Sequence, residues 1–276
     1  MQNDLLIKKL IEIKKIYEKA SRSGGTKATL SKIRASKLIM PIHEYIKEKL
    51  IEHGINIEKI YPPLGKSSPE IKLIGFLKGK NQDVTILPGI PSPEIIEEGV
   101  MINETDSVGK KISENSLSIN VRSQLSSLAK NFDTLYERTF AEALNLHLRL
   151  PKLVMGEIYV VPLVAYDPNK RGQEKVLFRE ILPVLKYLPA FAALNNRGIK
   201  ETGEAYKYER VCLLIVDFRK DPPEIINDVN QLIEKNIITD EIAKKVSLKG
   251  LTINGFIKDL LKIYKERHGS LNSLKT

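Results

Sequence analysis

The chain of 276 residues holds one cysteine, Cys212. A lone thiol cannot close an internal disulfide, and its place in an apolar run fits a reduced, cytoplasmic setting. Histidine is scarce too: His43, His53, His147 and His268 are scattered, so neither a histidine-based nor a thiol mechanism is expected. Long apolar runs are absent. The longest, near Val160 and Leu213, are too short to span a bilayer. At the N-terminus Leu5-Leu6-Ile7 meets Lys8-Lys9 at once, unlike a signal peptide. There is no Walker loop, no GxGxxG after a strand, no HExxH, no Cys/His zinc set and no nucleophile elbow. Internal repeats and low-complexity stretches are missing as well. Carboxylates, lysines and a divalent metal are the tools that remain.

What is present is a core and an uneven positive charge. Hydrophobic residues make up 42% of the chain, and the net charge is +10. That length and composition suffice for one large domain, or one domain and a smaller one. A basic balance suits a polyanionic partner through steering and counterion release. The first sixty residues hold thirteen Lys or Arg against seven Asp or Glu, which marks a basic N-terminal module.

That module reads as helical. Leu5, Leu6, Leu10, Ile13, Ile16 and Tyr17 make one face of a helix over 4–20, followed by short helices at 29–36 and 42–53. Pro62-Pro63, Gly65 and Ser67-Ser68-Pro69 break the chain, so the expected division is a helical domain at 1–66 and a second domain at 67–276. The second opens with a hairpin: a strand at 71–77, a turn at Gly79-Lys80-Asn81 and a returning strand at 83–87, with Asp83 at its mouth. Residues 88–115 read as a long loop, a common place for function.

The centre of the chain is a strand–helix–strand unit. Leu117, Ile119 and Val121 alternate with polar residues, a half-buried strand. Leu125, Leu128, Phe132, Leu135, Thr139, Ala143 and Leu146 recur as one buried helix face. Residues 153–163 form an apolar central strand. Such a unit makes a parallel pair. Lys130, Thr134, Arg138 and Glu142 fall at four-residue steps along another side of the helix. Beyond it, 176–194 reads as mostly helical, 208–218 as a buried strand, and 224–235, 240–246 and 253–267 as three helices. The fold class expected is α/β (α+β), a mixed central sheet flanked by helices.

Mg²⁺ binds one or two carboxylates together with phosphate and water, and a nearby lysine stabilises phosphate charge. Asp83 on the hairpin and Glu142 on the helix are the candidate ligands. Their plain alternatives are an Asx-type turn and an Arg138–Glu142 ion pair. Asp83, then Val121-Arg122-Ser123-Gln124, then Ala141-Glu142-Ala143-Leu144-Asn145-Leu146 resemble the type II restriction endonucleases of the PD-(D/E)XK superfamily that cut sites with a CCGG core.

The resemblance covers about residues 70–165. It implies a PD-(D/E)XK core, Mg²⁺-dependent hydrolysis of double-stranded DNA at a palindrome around CCGG, and a homodimer or higher homo-oligomer. It places Asp83 and Glu142 at the metal. The strand lacks the family's lysine, for which Lys130 is the nearest candidate and Arg122 or Gln124 the alternative. Glu44 would assist. Arg122, Ser123, Gln124, Arg138 and Lys130 would contact DNA, since Arg pairs with guanine and Gln with adenine in the major groove. Gln124 and Leu125 stand where the family has Asp and a second Arg, and Gln82 stands where it has Pro. The rival expectations are a non-catalytic DNA-binding regulator using helices at 240–267, and a metal-free partner protein with Lys-rich surfaces.

Overall fold

The computed structural model describes residues 4–22, 38–125, 127–167, 176–198 and 203–276. Six strands form the main sheet: β1 (Ile60–Tyr61), β4 (Val84–Ile86), β7 (Leu117–Ser123), β8 (Val154–Pro162), β11 (Arg210–Asp217) and β12 (Glu224–Ile226), side by side in that order. The β7–β8 and β8–β11 pairs are parallel and the others antiparallel, so the sheet is mixed. The expected strand–helix–strand unit at 116–163 is present, with its strands adjacent and parallel.

The central strands are apolar on both sides because helices cover both faces. On one face Val154, Ile158 and Val160 of β8 and Cys212, Leu214 and Val216 of β11 pack with α1 (Asp4–Arg22), α2 (Met40–Glu52) and α8 (Phe256–His268). On the other, Met155, Tyr159 and Val161 and Val211, Leu213 and Ile215 pack with α4 (Phe132–Arg149) and α5 (Val184–Ala193). Leu6, Leu10, Ile13, Ile42 and Ile46 of α1 and α2 thus share a core with the sheet and do not build one of their own. The helix expected at 29–36 lies outside the described residues.

Five local expectations need correction. The hairpin is β2 (Ile71–Ile74) with β3 (Gly79–Gln82), turning at 75–78, and Val84–Ile86 leaves it to pair with β7. Asp83 therefore sits where the chain passes from hairpin to sheet. The long helix begins at Phe132, and Leu125 and Leu128 lie in the approach to it. The 88–115 segment is no plain loop: β5 (Glu94–Ile95) pairs with β6 (Thr105–Asp106), followed by α3 (Lys110–Glu114). Finally, β9 (Val164–Tyr166) pairs with β10 (Phe178–Ile181) before α5, and Glu224–Ile226 is a strand, where helix was expected. Short helices α6 (Val229–Glu234) and α7 (Asp240–Ala243) follow. No helix among the described residues is long and apolar enough to cross a membrane.

Two glycines let helices approach closely. A Cβ on Gly75 would lie 2.2 Å from Asn145 Nδ2, and one on Gly156 of β8 would lie 2.7 Å from Leu260 and 2.9 Å from Phe256 of α8. Overpacking of such contacts costs about 1–3 kcal/mol. Gly156→Val is expected to destabilise the fold by that amount, read as a lower denaturant midpoint with an unchanged m-value.

Candidate active site

The site begins with the pleat of β7. Leu117, Ile119 and Val121 point into the core with α1 and α2, so Ser118, Asn120 and Arg122 take the other face. There α4 covers them: Ser118 and Asn120 are buried and Arg122 is partly so. A row of polar groups under a helix must satisfy itself. Asn120 lies opposite Glu157 of β8 in the ladder, and Glu142 of α4 lies within hydrogen-bonding reach of both Asn120 and Arg122.

Each member is held by the next. Asn120 Nδ2 donates to Glu142 Oε1 at 3.1 Å and to Gln82 Oε1 at 3.0 Å, and Ser118 Oγ donates to the same Gln82 oxygen at 2.7 Å. Arg122 Nη2 donates to Glu142 Oε2 at 2.5 Å and Arg122 Nε to Glu157 Oε1 at 2.6 Å. Lys80 Nζ, on the hairpin, reaches Glu142 Oε2 at 3.2 Å. Asp83 joins from the sheet end: its N–H donates to Asn120 Oδ1 at 3.0 Å, and its Oδ2 accepts from the Val121 N–H at 2.7 Å. Its Oδ1 forms no hydrogen bond among the described residues. Both expected acids thus bond the Asn120 side chain, Glu142 through its carboxylate and Asp83 through its backbone N–H, while the Asp83 carboxylate is held by the Val121 N–H.

Burial pushes the Asp83 carboxyl up to about 6. The Val121 N–H and Arg122 oppose the rise, and Glu142 adds to it. Glu157 is fully enclosed, its Oε2 has no hydrogen-bond partner among the described residues, and burial pushes it up to about 8 against the pull of Arg122. The Arg122 guanidinium is held charged, chiefly by Glu157. On the opposite side His43 of α2 brings Nε2 to 3.8 Å from Asp83 Oδ2. Desolvation, then Lys47, lowers that imidazole to about 4, so it is neutral near pH 7. Glu70 is raised by burial and by Asp83.

The other expected residues stand elsewhere. Lys130 is exposed in the turn before α4 and makes no hydrogen bond or ion pair among the described residues. Glu44 is occupied by Lys47 Nζ at 2.7 Å and the Gly65 N–H at 2.7 Å, and it does not join Asp83. Arg138 is exposed and unpaired among the described residues, so the Arg138–Glu142 pair is absent. Four-residue steps precess by about 40° each on a helix of 3.6 residues per turn, which carries Glu142 inward. Arg122 is engaged inside the protein rather than presented to a base. Ser123 ends β7, and Gln124 is largely buried with Nε2 3.4 Å from the Ser127 carbonyl.

Lys80, Asn120 and Glu157 were not singled out from the sequence. Glu157 left a signal, a single carboxylate inside an otherwise apolar strand, and Asn120 and Arg122 are the polar alternates of β7. Lys80 read as a turn residue and gave none. No family model matches this chain, and no curated protein or solved structure matches it.

The pH dependence of stability follows from Glu157. In the unfolded chain it loses its proton near 4.5, and in the fold near 8. The native state holds the extra proton between these values, so its stability falls as pH rises through that window. Glu157→Gln should match the parent near pH 4.5 and exceed it increasingly towards pH 8, measured by thermal unfolding. Parallel curves would remove the buried acid from this role.

Proposed function

We propose that this chain is a Mg²⁺-dependent endonuclease hydrolysing phosphodiester bonds in double-stranded DNA, a type II restriction enzyme of the PD-(D/E)XK kind. The observation that carries this reading is the meeting of Asp83 and Glu142, from hairpin and helix, on Asn120 beside the cations of Arg122 and Lys80. The resemblance to CCGG-cutting enzymes supports the specificity. That specificity cannot rest on Arg122 as placed, because both its partners are internal carboxylates.

The donor set fits a hard divalent cation. Asp83 and Glu142 are oxygen donors, Asp83 Oδ1 is uncommitted among the described residues, and the Asp83 carboxyl is raised by burial and, less, by Glu142. No group of three or more His, Cys, Asp or Glu among the described residues is arranged to hold a metal. Two carboxylates with phosphate and water completing the shell is the usual Mg²⁺ arrangement. When bound, the cation supplies charge stabilisation at the scissile phosphate and eases deprotonation of the attacking water.

The protein's own residues supply the rest. Asn120 and the Val121 N–H orient the two carboxylates. Arg122, fixed by Glu157, sets the rotamer of Glu142. Lys80 is a third exposed, and it is the cation able to turn to a phosphate and stabilise its developing charge. It takes the part that the sequence assigned to Lys130. The regulator reading would have to use the outer face of α8, since Phe256, Ile257, Leu260, Leu261 and Tyr264 are buried against the sheet.

Incubation of supercoiled plasmid with the chain and Mg²⁺ is expected to give discrete linear products, abolished by chelation. Asp83→Ala should lower the rate by about 10³-fold, and Lys80→Ala by about 10²–10³-fold with partial recovery in Lys80→Arg. DNA binding should persist in each. Uncut plasmid across varied sequences would overturn the proposal, and full activity in Lys80→Ala would return the role to Lys130.

A further inference from the structure

Buried polar atoms in a folded chain almost all have a partner, and one that does not calls for a reason. His43 Nε2 is such an atom: it is buried and makes no hydrogen bond among the described residues. The cleavage chemistry proposed for Asp83 and Glu142 makes no use of it. Its ring nonetheless faces the Asp83 carboxylate, with Nε2 at 3.8 Å from Oδ2. That is too far for a hydrogen bond.

Both side chains are held in place. His43 lies in the opening turns of α2, and its neighbours Pro41, Ile42 and Ile46 are buried. One turn on, Lys47 Nζ is tied to Glu44 at 2.7 Å and to the carbonyls of Pro63 and Lys66 at 3.1 and 2.8 Å. The imidazole is 8% exposed, so the ring is enclosed. Asp83 is fixed by the Val121 N–H on Oδ2 and, through its own N–H, by Asn120. Its side chain is 25% exposed, so the pair is not sealed from solvent.

The spacing suits an ion between the two groups. A transition ion sits about 2.1 Å from an imidazole nitrogen or a carboxylate oxygen, so donors up to about 4.2 Å apart can share one. The 3.8 Å gap is within that reach. Donor type then selects the ion. Mg²⁺ takes oxygen ligands, whereas imidazole suits the later metals of the first transition row. Two protein donors leave positions for water or a phosphate oxygen, as in a catalytic site and unlike a closed structural one.

We propose that His43 Nε2 and the Asp83 carboxylate bind one divalent ion of the later first transition row in a mixed nitrogen–oxygen site. This rests on the cation that the nuclease reading places at Asp83, and it adds a nitrogen ligand to it. Coordination at Nε2 leaves the ring proton on Nδ1.

Titration of the full chain with Co²⁺, followed by calorimetry and visible absorption, tests it, with Mg²⁺ run in parallel. The parent chain is expected to bind Co²⁺ more tightly than Mg²⁺. His43→Ala and His43→Gln should each weaken Co²⁺ at least about tenfold, the loss that even a supporting partner of a metal ligand causes. Both should move the visible bands of bound Co²⁺ and leave Mg²⁺ binding unchanged, since Mg²⁺ does not call on the imidazole. Asp83→Asn should weaken both ions. Circular dichroism checks the fold, and His43→Gln, which keeps a side chain in the enclosed space, carries the comparison where His43→Ala does not fold. Unchanged Co²⁺ affinity and spectrum in His43→Gln, or no preference for Co²⁺ over Mg²⁺ in the parent, would overturn the proposal. Plasmid cleavage is not a readout here. A chain that binds Co²⁺ through His43 and cuts no DNA sinks the nuclease reading alone, and one that cuts with Mg²⁺ but keeps its Co²⁺ affinity in His43→Gln sinks this site alone.

Discussion

One guanidinium bridges the long helix and the sheet. Arg122 donates from Nη2 to Glu142 on α4 and from Nε to Glu157 on β8, so a single side chain of β7 ties three elements together. Charges in such a place are costly. Desolvation of each ion amounts to several kcal/mol, offset only where geometry and hydrogen bonding are good, and losing one partner leaves an uncompensated charge worth about 3–5 kcal/mol. A hydrophobic trio would serve stability as well. What the ionic trio adds is direction: Glu142 is aimed at Asn120 and Lys80, and Asp83 is brought to the same Asn120. The orientation of Glu142 depends on that charge, while Asp83 is held by Asn120 and the Val121 N–H.

The fold was legible where periodicity was simple. Alternation in 117–121 and the apolar run at 153–163 gave the two parallel strands, and the helix between them kept most of its expected buried face. Boundaries were less legible because burial also occurs without helix. Leu128 is buried although it precedes α4, so apolar spacing continued past the true start. The hairpin was misplaced for a related reason. Gly79-Lys80-Asn81 is a good turn sequence, but Gly75 is the position that admits close approach of Asn145, and the chain turns there. At 224–226 the Pro222-Pro223 entry suited a helix, whereas pairing with β11 makes a strand.

The proposed site was half legible. Asp83 and Glu142 were readable as acids flanking a strand–helix unit, and both bond Asn120, Asp83 through its backbone N–H. Lys80 lies three residues before Asp83 but 62 from Glu142, and only the hairpin register, with Lys80 opposite Leu73, places it beside Glu142. Lys130 had the right residue type and interval but the wrong geometry, because it precedes the helix and faces water. Glu44 was one position from the residue that faces the site. Its neighbour His43 turns toward Asp83, while Glu44 and the fully buried Lys47 pin the carbonyls of Pro63 and Lys66 and the N–H of Gly65. One residue along a helix is about 100° of rotation, more than sequence pattern resolves here.

Asp83 itself stands between the two faces of the molecule. From one side comes the imidazole of His43, kept neutral by burial and by Lys47, which offers no counter-charge. From the other come Glu142 and Glu157, both negative when ionised, with Arg122 divided between them. Glu70, raised by Asp83 as well as by burial, adds a further acid. Two cations, Arg122 and Lys80, thus serve up to four carboxylates, and burial, the largest cause at both, keeps a proton on Glu157 up to about 8 and on Asp83 up to about 6. The divalent cation proposed for this site would take the place of those protons, so its binding would be coupled to proton release.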